Sequence, residues 1–181
     1  MNVNGSSPNF MAPTPTAKYD MGIGQNYSVT IDRNAHNPED RLIKATALEF
    51  EKDICKLAKL FKDCDNTHPK DLDQEENSVL MKTNKPVTKN NCYMGESQQI
   101  DFFRIKGNAA TYESEEKIYD DSAKITGTFL SYAEFEVKNG EIGDLIYAKR
   151  EIDQINKGFQ SLEIANKENG LVEYKQQYKA K

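Results

Sequence analysis

Ile43, Ala47, Phe50, Ile54, Leu57 and Phe61 recur at alternating intervals of four and three, which puts them on one face of an α-helix. Asn37 offers a capping oxygen, and Pro38 suits the first helical position, where no amide donor is needed. Glu39 and Asp40 stand where the positive end of the helix dipole favours acids, and Lys52, Lys56, Lys59 and Lys62 gather toward the other end. The pattern predicts a helix over residues 38–63. Its stripe reads as a core face, with a coiled-coil or partner-docking seam as the alternative.

From Ile100 onward the period shortens to two. Residues 99–178 are predicted to form β-hairpins, bending at Lys106–Asn108, at Asn139-Gly140 and near Asn169-Gly170. Asn-Gly suits a type I′ turn because both central residues need positive φ. Phe129, Ala133, Phe135 and Val137 share one face, which Ile142, Ile146 and Ala148 can continue across the turn. Leu162 and Ile164 face one way, as do Val172, Tyr174 and Tyr178. A rival pattern runs through Leu145, Ala148, Ile152, Ile155, Phe159 and Leu162 at helical spacing. Gly158 counts against that helix by about 1 kcal/mol relative to Ala, so strands are favoured over residues 144–168. Tyr27–Ile31 alternates as a short strand would.

The connections read differently. Residues 1–24, rich in Ser, Pro, Thr, Asn and Gly, are expected to be a disordered N-terminal arm ahead of a single domain over 25–181. Residues 65–98 read as a long loop, acidic at first and then rich in Lys and Asn. The Gly22-x-Gly24 pair lacks the third glycine and the strand-to-helix setting of a nucleotide loop.

Composition narrows the class. The chain has 181 residues, 37% of them hydrophobic and 29% charged, with a net charge of −5. That balance suits a soluble domain and weighs against a broad nucleic-acid-binding face, which must be basic. No signal peptide opens the sequence and no stretch is apolar enough to span a membrane. Cys55, Cys64 and Cys92 fit reduced thiols better than a disulfide framework. A cytoplasmic location is the resulting expectation.

Candidate chemistry is sparse. Asp63 and Asp65 have the first spacing of a calcium loop, but His68 stands where Gly is needed and Gln74 where a bidentate Glu is needed. Cys64 and His68, with Cys92 and His36, lack the close pair that anchors a zinc site. Cys64 or Cys92 with His68 has the residue types of a thiol nucleophile and base, without a supporting motif. Glu134 and Glu136 share a strand face and read as solvated acids. The tail interleaves Tyr174 and Tyr178 with Lys175, Lys179 and Lys181, a pattern that can stack bases and seek phosphates; lysines guarding an edge strand explain it equally.

The expected architecture is α+β: one long amphipathic helix on an antiparallel meander of five or six strands. Core residues are expected at Phe50, Ile54, Leu57, Phe61, Phe103, Ile105, Phe129, Phe135, Val137 and Ile146. The expected function is a non-enzymatic protein-interaction module, engaging an unknown protein partner through its arm or a sheet edge; edge strands and the helix seam make self-association possible without predicting it. A small-ligand or enzymatic cup between sheet and helix, with Tyr112, Tyr132, Tyr147 and His68 as polar groups, is the alternative; RNA contact through the basic tail is a weaker one. Tyr112, Tyr132, Tyr147, Tyr174, Tyr178 and Lys175 are the candidate contact residues. No catalytic residue, metal ligand or cofactor is assigned.

Overall fold

The helical stripe does form a helix, α1, over Arg41–Cys64. A computed structural model of the chain describes residues 26–36, 41–64 and 77–180. The arm, the capping residues 37–40, His68 and the acidic part of the expected loop therefore lie outside the described residues. So does the side chain of Phe61.

Among the described residues eight strands make one sheet: β1 (Asn26–Asp32), β2 (Asn77–Lys89), β3 (Cys92–Lys106), β4 (Ala109–Asp120), β5 (Ile125–Lys138), β6 (Glu141–Gln154), β7 (Gly158–Asn166) and β8 (Leu171–Lys179). Residues 144–166 belong to β6, a short turn and β7, with no α-helix. The order across the sheet is β1-β8-β7-β6-β5-β4-β3-β2, and every neighbouring pair is antiparallel. Strands β2 to β8 are thus a meander, and α1 lies on the connection between the two edge strands, β1 and β2.

The expectation of five or six strands fails at the stretch read as a loop. Asn77–Lys89 is a strand of 13 residues, and β3 begins at Cys92. The turn between them places Asn90 at φ 52° and Asn91 at φ 64°, so Asn-Asn does the work that Asn139-Gly140 does between β5 and β6. Pro86 is tolerated because β2 is an edge strand. Lys82, Lys85 and Lys89 are the charges that keep such an edge from pairing with other chains. The features that resembled a loop are those of a protected edge.

Cross-strand partners share a face of the sheet. One row of partners runs from edge to edge: Val29, Tyr174, Ile164, Ala148, Ala133, Tyr112, Phe103 and Val79. Except for the half-buried Val29, all are buried, and they join Ala47, Phe50, Ile54 and Ala58 of α1 in one hydrophobic cluster. Small residues on both sides, Ala47 and Ala58 above and Ala133 and Ala148 below, let helix and sheet approach closely. Arg33 Nη2 meets Glu51 Oε2 at 2.5 Å and Asn166 Oδ1 at 2.6 Å, while Asn166 Nδ2 donates to Glu51 Oε2 at 2.7 Å. That closed network ties the helix to β7 and to the end of β1.

Of the expected core residues, Phe50, Ile54, Phe103 and Phe135 are buried, and Leu57, Ile105 and Val137 pack against them. Ile146 is a correction. The β5–β6 register shifts around Phe135, which pairs with Leu145 while Glu134 pairs with Tyr147. This bulge turns Leu145 inward and leaves Ile146 41% exposed. Phe129 is half-buried on the helix side, outside the cluster.

Candidate binding face

The alternation that buries Tyr112 and Tyr174 sends their neighbours to the opposite face, which α1 does not cover. The six candidate contact residues divide accordingly. Tyr112 and Tyr174 are buried under the helix: the Tyr112 hydroxyl donates to Asp101 Oδ1 at 2.8 Å and that of Tyr174 to Gln176 Oε1 at 3.1 Å. Tyr178 is half-buried on the helix side, with its hydroxyl on the Lys157 carbonyl at 3.2 Å. Tyr132, Tyr147 and Lys175 lie on the open face, because Tyr132 pairs with Lys149, Lys149 with Glu163, and Glu163 with Lys175. These residues do not line one cup, and Tyr174 and Tyr178 lie on the face opposite to Lys175 and Lys179.

The open face has its own organisation. Ile100 and Phe102 of β3 and Leu130 and Tyr132 of β5 flank the β4 acids Glu113 and Glu115, and β6 adds Lys149 and Glu151. Together they line a shallow groove of about 450 Å³. Ile100 is 42% exposed and Leu130 39%, an apolar floor that water reaches. Leu80 extends it to the β2 edge, paired directly with Phe102.

Charge on this face is unbalanced. On β4 to β6 the acids are Glu113, Glu115, Glu134, Glu136, Glu141, Glu151 and Asp153, and the bases are Lys117, Lys138 and Lys149. All three bases are occupied locally, Lys149 with Glu151 at 3.2 Å, Lys138 with Glu136 at 3.5 Å and Lys117 with Glu115 at 3.9 Å. Beside the groove, the rings of Tyr132 and Tyr147 lie 6.3 Å apart. Their hydroxyls donate to Glu134 Oε2 and Glu163 Oε1, each at 2.7 Å. Partial burial and these carboxylates hold both phenols neutral, Tyr132 with its pKa pushed up to about 12 and Tyr147 raised further.

The thiol candidates fare differently. Cys92 is exposed at the start of β3, and the side chain of Cys64 lies outside the described residues with His68. Cys55 borders a groove with Arg33, Glu51 and Asp144. Burial of the thiol, then the charges of Glu51 and Asp144, push its pKa up, the opposite of what a nucleophilic thiolate needs. Among the described residues no group of three His, Cys, Asp or Glu is placed to hold a metal ion, and no helix is long and apolar enough to cross a membrane.

Sequence reasoning found Tyr132 and Tyr147 and missed the floor. The signal was present in the doublets Phe102-Phe103 and Phe129-Leu130. In a strand, one member of such a pair must face away from the core. Which doublets meet depends on register, set here by hairpins that sequence alone does not align. Comparison of the chain with protein families, with curated proteins and with solved structures finds no match.

Proposed function

We propose that the protein is a non-enzymatic binding module whose open sheet face docks a basic polypeptide segment carrying apolar side chains. The observation that carries this reading is the groove itself: an apolar floor of exposed Ile100 and Leu130 and half-buried Phe102, whose ring carries the Arg104 guanidinium at 5.8 Å, set among carboxylates that outnumber the local lysines. Apolar side chains of a partner gain by leaving water on such a floor. Its lysines or arginines find Glu113, Glu115 and Glu134, and the tyrosine pair offers ring faces to a cation. The same charge repels nucleic acid, so the RNA reading loses support on this face.

The test uses two synthetic probes of alternating sequence, one Lys/Leu and one Glu/Leu, labelled for fluorescence anisotropy. The Lys/Leu peptide should bind in a salt-sensitive manner, and the Glu/Leu peptide should not. Reversing Glu113 and Glu115 to Lys, or changing Leu130→Asn, should weaken binding roughly tenfold or more. Equal binding of both probes, or binding indifferent to these substitutions, overturns the proposal.

A further inference from the structure

The two edges of the sheet are built differently. Edge strand β2 carries Pro86 and three lysines, whereas β1, NYSVTID, has neither proline, glycine nor lysine, and no charge before Asp32. Among the described residues no strand lies on its outer side. The Arg33 amide donates to the Gly170 carbonyl at 3.0 Å, which makes that pair a hydrogen-bonded one. Bonded pairs alternate along an antiparallel ladder, so Ile31, Val29 and Tyr27 follow in the bonded set. The amides and carbonyls of Ser28 and Thr30 therefore point away from β8, toward the open edge.

From this edge we infer that β1 pairs antiparallel with β1 of a second copy of this chain, joining two sheets into one. A two-fold axis through Val29 sets Ser28 opposite Thr30, Tyr27 opposite Ile31 and Val29 opposite itself. Each pairing suits a sheet: hydroxyl with hydroxyl, aromatic with β-branched, β-branched with β-branched. Charge agrees. On the open face Ser28 lies beside Lys175 and Thr30 beside Glu173, so each row ending in Lys175 and Ser28 continues into Thr30 and Glu173 of the second copy. The side of β1 facing the helix, Tyr27, Val29 and Ile31, meets its own like, and core faces core. This inference is independent of the binding face.

Sedimentation equilibrium of the full chain tests it. A reversible dimer is expected. Thr30→Pro removes an amide that points outward and takes no bond from β8, so it should leave the circular dichroism spectrum intact. It should weaken dimerisation roughly tenfold or more. Ser28→Lys, which charges the edge without touching the backbone, should do the same and decides the matter if the proline variant fails to fold. A wild-type chain that stays monomeric at the highest attainable concentration overturns the inference. So does a dimer that a folded Thr30→Pro or Ser28→Lys variant retains.

Discussion

Tyr112 can carry its hydroxyl into the core because Asp101, itself only 7% exposed, is there to receive it. Gln99 Nε2 donates to the same carboxylate, at 3.0 Å to Oδ1 and 3.1 Å to Oδ2. Removing the hydroxyl leaves a desolvated acceptor short of one bond, so Tyr112→Phe should cost about 2 kcal/mol in urea denaturation despite preserving the ring. The phenol also records its surroundings: burial, and then the Asp101 charge, raise its pKa far above the usual 10.0. Tyr132 and Tyr147 are raised as well. A group whose folded pKa is raised binds its proton more tightly in the folded state. Its stabilisation is complete below pH 10 and declines as pH rises through that value toward the folded pKa. Alkaline titration followed by tyrosinate absorbance should show these phenols ionising late, with stability falling from pH 10 upward. Tyr147→Phe should flatten that fall. An unchanged slope would mean that Tyr147 ionises alike in folded and unfolded chains.

At the level of elements, glycines with the same backbone sign carry different loads. Gly140 has φ +76° with nothing near its absent Cβ, whereas a Cβ on Gly95, at φ +140°, would stand 1.9 Å from the Tyr119 carbonyl oxygen. Gly95 sits where β3 is squeezed between β4 and the register shift at Val87/Thr88 of β2. Gly140→Ala should therefore cost about 1 kcal/mol, and Gly95→Ala about 3 kcal/mol through strain and overpacking together. Thermal denaturation of the two variants separates them. The contrast marks what was legible in the chain. The Asn139-Gly140 turn and the helix announce themselves locally, through residues that favour one backbone shape. Gly95 looks like any loop glycine until the strand beside it is known. Strand β2 was misread for the same reason, since Lys82, Lys85 and Pro86 mean a loop or a protected edge depending on what lies next to them. Of the candidate face, Tyr132 and Tyr147 were visible as residues. Their meeting with Ile100 and Leu130 was not, because it depends on the register of β3 against β4 and β4 against β5.

In the whole molecule, the first of the described strands pairs with the last. Asn26 pairs with Gln177, so β1 finds its place only when the far end of the meander exists, and such a contact is costly in loop-closure entropy. What repays it is a shared core. Ile31 on one edge strand and Val79 on the other are both 4% exposed in the cluster that holds Phe50 and Ile54 of α1. The helix is thus not an appendage on a finished sheet; its Ala47, Phe50, Ile54 and Ala58 share one cluster with residues of both edge strands. Helix and sheet should unfold together, the circular dichroism and tyrosine fluorescence transitions coinciding in urea. Ile54, fully buried on the helix, supplies the sharper test. Ile54→Ala should lower stability by about 3 kcal/mol and move both transitions by the same amount. If the sheet signal held its midpoint while the helix signal fell away early, the sheet would be stable without its helical cover, and the single core described above would be two.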